Sequence, residues 1–136
     1  MNKIYKEHIS LKTNERIEII DITDVINENI KKSNIQDGFA ILFAEHVTAC
    51  LMINENDDDV KEDIKEVLLK LIPIKGNYKH KIENNAYAHI ISTMINPSLI
   101  VPIEKNELKL GRWQSIFFFE LDGPRERKID IQIWGE

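Results

Sequence analysis

The chain has 136 residues, 43% hydrophobic and 30% charged, with a formal net charge of −5. That length suits one domain, able to bury roughly two-thirds of its unfolded surface without a disulfide or structural metal, and the apolar content excludes a disordered chain. The acidic balance argues against non-specific nucleic-acid binding, which rests on basic surface and counterion release, and no run approaches the roughly 18 apolar residues of a membrane span.

The first ten residues lack the apolar centre of a signal peptide. Residues 3–11 and 16–20 read as strands joined by a polar turn; in the second, Ile17 and Ile19 alternate with Arg16 and Glu18. Ile22, Val25, Ile26 and Ile30 then share one helical face, with Asp21 placed to cap it and two Lys near its C-terminus, where the helix dipole favours positive charge. Asp37-Gly38 marks a turn before FAILFAEH, a nearly continuous apolar run of the kind buried on both faces. Thr48–Ile53 reads as its partner strand. The single Cys50 sits there as a small core residue, and one Cys excludes an intrachain disulfide and agrees with a reducing, cytoplasmic compartment.

Val60, Ile64, Val67, Leu68, Leu71 and Ile72 recur at helical spacing behind an acidic first turn and ahead of Pro73, predicting a helix. Asp57-Asp58-Asp59 reads as its solvated start, without the spacing of a calcium loop. Residues 73–84 form a polar loop, and NAYAHIISTMI a short helix that ends before Pro97. LIVPI is a strand, 106–110 pairs nearby, QSIFFFEL is a strand, DGPRE a turn, and KIDIQIW a last strand with Ile129, Ile131 and Ile133 on one side. The order ββα ββα α ββββ predicts a single α+β domain over 1–136, with mostly antiparallel sheets flanked by helices.

Polar clusters interrupt these apolar segments at Glu45–Thr48, Asn54–Asp57, Tyr78 to His89, Gly111–Gln114 and Asp122–Arg125. Imidazoles and carboxylates at strand ends can converge in a cleft. His46, His80 and His89 with Glu55 offer ligands for a divalent metal, although their spacing is no local metal motif. Arg125 and Arg127 flank a turn as solvated charges or as phosphate donors, and Trp113 reads as core or as a stacking wall. His8, on a probable edge strand, is assigned no role. There is no P-loop, GxGxxG, GxSxG or CxxC pattern.

Taken together, HVTACLMINEN, NNAYAH, PSLIVPI and LGRWQSIFFFELDGPRERKI resemble the YjbQ family, over nearly the whole chain and in register. Its members are often described as secondary thiamine-phosphate synthases. The resemblance implies a YjbQ-like α+β fold and a homotrimer with sites near subunit contacts. His46 and Thr48 match its His-x-Thr-Ala block, Asn54 and Glu55 its Asn-Glu block, His80 a loop His, and Asn85 and His89 its Asn-x-Asp-Ala-His block. Gly111, Trp113 and Gln114 match Gly-x-Trp-Gln, and Asp122–Arg125 the last block. Tyr87 stands where the family has Asp.

The activity implied joins a pyrimidine pyrophosphate to a thiazole phosphate and releases pyrophosphate. His46, His89 and Glu55 would be catalytic. Thr48, Asn54, Asn85, Trp113, Gln114 and Arg125 would bind the small phosphorylated substrate. His46, His80 and His89 would hold a divalent metal, Mg or Zn. The alternatives are a non-catalytic trimeric ligand-binding protein and a metal-dependent enzyme such as a hydrolase built on the His/Glu cluster.

Overall fold

Alternation along the strands divides the protein into layers. The structure, a computed structural model, describes residues 2–136. Its elements are β1 (Lys3–Lys12), β2 (Glu18–Asp21), α1 (Thr23–Ser33), β3 (Gly38–Ala44), β4 (Ala49–Asn54), α2 (Asp58–Leu71), a 3-10 turn (Ile82–Asn84), α3 (Ala86–Ile95), β5 (Ser98–Glu104), β6 (Glu107–Leu108), β7 (Ser115–Glu120) and β8 (Glu126–Gly135). This is the expected order of elements, and the fold is α+β with antiparallel sheets.

Five strands in the order β1-β8-β3-β5-β6 form one sheet and β2-β7-β4 a second. The inner face of the larger sheet carries Ala40, Leu42, Val101, Ile103, Ile129, Ile131 and Ile133. It packs with Ile22, Ile26 and Ile30 of α1 and with Ala49, Leu51, Ile116 and Phe118 of the smaller sheet. The smaller sheet turns its other side chains, Cys50 and Phe119 among them, to a second core that includes Tyr87, Ala88 and Ile91 of α3. Side chains along β4 and β7 therefore alternate between two cores. Ile64, Leu68, Leu69 and Ile72 of the α2 segment pack against that second core.

Four expectations need correction. β4 pairs with β7, not with β3, because Glu45-His46-Val47 carries the chain from one sheet to the other. β3 is covered on one face only; Phe39, Ile41 and Phe43 point outward on the open side of the larger sheet. The strand buried on both faces is β7, where Phe117, Phe118 and Phe119 are all core. The α2 stripe is narrower than its spacing suggested, since Val67 is 55% and Leu71 69% exposed.

Capping follows local chemistry. Asp57 accepts a hydrogen bond from the Val60 N–H and caps α2. Asp21 stands one residue too early to be the N-cap of α1, which is Ile22, yet its carboxylate accepts from both the Thr23 N–H and hydroxyl. Among the described residues no helix is long and apolar enough to cross a membrane.

Candidate functional site

The chain crosses from β3 to β4 at His46, and α3 runs past that crossing. His89, Ser92 and Thr93 lie three or four residues apart and so share one face of α3. With His46, Val47 and Pro97 they line a hollow of about 210 Å³. Two imidazoles from different elements thus face one concavity. His89 also borders a second hollow of about 230 Å³ with Tyr78, His80 and Ile90, and its ring lies edge-on to His80 with centroids 5.0 Å apart.

His46 is held from behind. Its Nε2 is 3.0 Å from the Lys128 carbonyl oxygen and 3.2 Å from the Lys128 backbone nitrogen, and its ring meets Phe118 edge-on. Burial pushes its pKa below the usual imidazole value, with Arg127 and Arg125 adding to the effect against the Lys128 carbonyl and Glu120. A ring kept neutral can accept a proton.

Beside it a polar chain runs through four family-block residues. His80 Nε2 is 3.0 Å from Asn85 Oδ1, Asn85 Nδ2 donates to Asp122 Oδ2, and the same oxygen accepts from an Arg125 terminal nitrogen at 3.0 Å. Arg125 Nε donates to the Asp122 carbonyl, which bends the guanidinium back over its own turn. Gly123 is required there: a Cβ would lie 2.4 Å from the Glu15 carbonyl oxygen.

The floor is a buried ion pair that sequence reasoning missed. Arg127, expected on a turn, lies on the inner face of β8 and pairs with Glu120 at the end of β7, joining the two sheets. Burial alone would raise the Glu120 carboxyl, but hydrogen bonds from Arg127, the Asp122 N–H and Thr13 hold it below the usual range. Arg127 also donates to the Thr48 hydroxyl at 3.0 Å. Thr48 is 4% exposed, so its side chain is committed to this floor. The signal was available in the alternation, since Arg127 shares the parity of Ile129, Ile131 and Ile133.

The other expected residues lie elsewhere. Asn54 pairs with Ser115, so Asn54, Glu55, Trp113 and Gln114 gather at the far end of β4 and β7. At about 3.3 Å per residue, that end is about 17 Å from Ala49. Gln114 closes its own loop by accepting from the Gly111 N–H. Trp113 is not core; it is 64% exposed under the Arg112 guanidinium.

The expected metal ligand set is not assembled. His80 is turned on to Asn85 and His46 on to Lys128, and among the described residues no three His, Cys, Asp or Glu side chains are grouped as a metal ion needs. Cys50 is buried and its thiol pushed up to about 12, which suits a core residue.

Tyr87, where the family block has Asp, lies outside the hollow. It is fully buried, with its hydroxyl donating to the Leu121 carbonyl and accepting from Arg16 Nε at 2.9 Å. The phenol oxygen here accepts from a cation, and Tyr87 holds a packing position in the second core.

Residues 7–136 match the family described as UPF0047 protein YjbQ-like. A UPF0047 protein of Methanothermobacter thermautotrophicus is 37% identical over 98% of this chain and 94% of its own length. One of Methanocaldococcus jannaschii is 43% identical over 93% and 91%. The crystal structure of a YbjQ-like protein of unknown function from Sulfolobus solfataricus P2 superposes with a TM-score of 0.97 at 36% identity, over all of both chains. An uncharacterised YjbQ/UPF0047 protein of Clostridium acetobutylicum gives 0.90 at 43% identity, over 93% of this chain and 98% of its own. Sequence and fold agree from end to end, and the chain belongs to the YjbQ-like UPF0047 family.

Proposed function

We propose that the His46–His89 hollow binds a small phosphorylated molecule and supports transfer chemistry of the thiamine-phosphate synthase type as a secondary activity. The observation that carries this reading is the convergence of two imidazoles, one held neutral, in a hollow with no carboxylate in its wall. In that reaction the thiazole nitrogen forms a bond to the pyrimidine methylene carbon as the carbon–oxygen bond to pyrophosphate breaks, and the oxygen takes the electron pair. The enzyme's part is to stabilise that growing negative charge and to hold two rings in contact. The His89 imidazole and the Arg125 guanidinium supply donors, and the neutral His46 ring can take up a proton. Since no three-ligand metal set is assembled, no step is routed through a resident Mg or Zn.

A complete site in this reading is shared between copies. The stacking wall at Trp113 and the carboxylate of Glu55 are too far along the sheet to serve the same chain's hollow, and a neighbouring protomer can present them. A homotrimer, as the family resemblance implies, would do so, and the lone reduced thiol accords with a cytoplasmic protein.

The test is turnover. Purified protein incubated with the pyrimidine pyrophosphate, the thiazole phosphate and Mg²⁺ as the counter-ion of pyrophosphate should release thiamine phosphate. His46→Ala and His89→Ala should each lower the rate by about 100-fold, within the range for lost acid/base groups. Product at equal rates in wild type and both variants would end the assignment.

A further inference from the structure

Ser92 belongs to none of the family blocks, yet it helps line the hollow. It is 6% exposed, and its hydroxyl is the one buried side-chain polar group without a hydrogen-bond partner among the described residues. A serine inside a helix ordinarily turns its hydroxyl back on to the carbonyl of the preceding turn. Thr93, the next residue, does so on His89 at 2.9 Å. Leaving a buried hydroxyl unpaired costs free energy that a partner would recover. Ser92 stands about one turn after His89 and lines the same hollow as His46.

We propose that Ser92 is a ligand-binding residue, its hydroxyl, closed to solvent as it stands, rotating about the Cα–Cβ bond to donate to an oxygen of a phosphate group seated between His46 and His89. This rests on the reading of the hollow as a phosphate site and adds the residue that anchors the anion. Two features fit an anion rather than a cation or a carbohydrate. The wall offers hydroxyl and imidazole groups and carries no carboxylate, the nearby Arg125 and Arg127 being paired with Asp122 and Glu120. Val47 and Pro97 give the remaining wall an apolar surface that limits competition from water.

The proposal separates stability from binding. Ser92→Ala removes a hydroxyl that the free protein leaves unpaired, so its melting temperature should equal or exceed that of wild type. Its affinity for inorganic phosphate, followed by titration of the imidazole proton resonances, should fall by about tenfold or more, as expected for a lost hydrogen bond to a charged group. Ser33→Ala, whose hydroxyl is already used on the Ile30 carbonyl within α1 and which lies outside the hollow, should bind phosphate as wild type does. Equal phosphate affinity in wild type and Ser92→Ala overturns the proposal, as does a parallel fall in melting temperature and affinity. Absence of phosphate binding by the wild type overturns it together with the phosphate-site reading. Ser92-dependent binding without turnover would retain this proposal while removing the transferase chemistry.

Discussion

His46 reports its surroundings through its proton. Burial holds its folded-state pKa below the ordinary value of 6.5. The unfolded chain is therefore the first to bind the extra proton as pH falls. The contribution of this residue to stability is complete above 6.5 and is lost as the pH drops through that value toward the lower folded one. Urea unfolding at about pH 7.5 and about pH 5.5 should show a loss of stability in the wild type that is smaller in His46→Gln, which cannot titrate. Equal losses would mean that His46 is as well solvated in the folded protein as in the unfolded chain. Tyr87 teaches a different lesson at the same scale. A substitution at a family-block position looks like damage to a site in sequence, but in space it changes a contact with Arg16 beneath the second core.

At the level of elements, the Glu120–Arg127 pair ties β7 to β8 under the hollow. Removing one partner leaves an uncompensated buried charge, so Arg127→Met should cost about 3–5 kcal/mol of folding free energy, while the double change E120L/R127M should restore much of it. Chemical denaturation of the three proteins checks this, and an Arg127→Met loss under about 1 kcal/mol would show that water reaches the pair. Elements with a clear period were legible in the sequence. α2, α3 and β8 follow from their spacing, and the order of all the strands and helices was read correctly. Which strands pair was not legible, because both β3 and β7 are apolar in nearly every position and alternation cannot tell a strand with two covered faces from one whose second face is bare. The site was legible in part for the same reason. His46, His89, Asn85 and Arg125 could be named from their blocks, but Ser92 carries no motif, and its significance lies in a missing hydrogen bond that exists only once α3 is packed.

For the whole molecule, the open side of the larger sheet is the largest unexplained feature. Phe39 stacks on Trp134 with centroids 6.4 Å apart, and Ile41 faces Ile100, which is 69% exposed. An apolar face of this kind marks an interaction surface. In the trimer proposed above it would be covered by neighbouring copies. Sedimentation at micromolar concentration should give a trimer for the wild type and a monomer for I41K/I100K, which sets two like charges opposite each other. Circular dichroism should be unchanged, since both side chains lie outside the core. A wild type that sediments as a monomer would leave Glu55 and Trp113 without a route to the hollow.

The smaller sheet has one more consequence. Because neighbours along β4 and β7 answer to opposite interiors, inserting or deleting a single residue within β7 would drive the Glu120 carboxylate into oil and a phenylalanine on to the Arg127 guanidinium, and a slip within β4 would exchange Cys50 and Leu51 between the interiors. Such a chain has no easy repair by sliding. Length can vary where these strands stop, at the Glu45–Val47 crossing, the Glu55–Asp57 turn, the Gly111–Gln114 loop and the Asp122–Arg125 turn, so change that the framework forbids in its middle is channelled to the polar clusters at its ends.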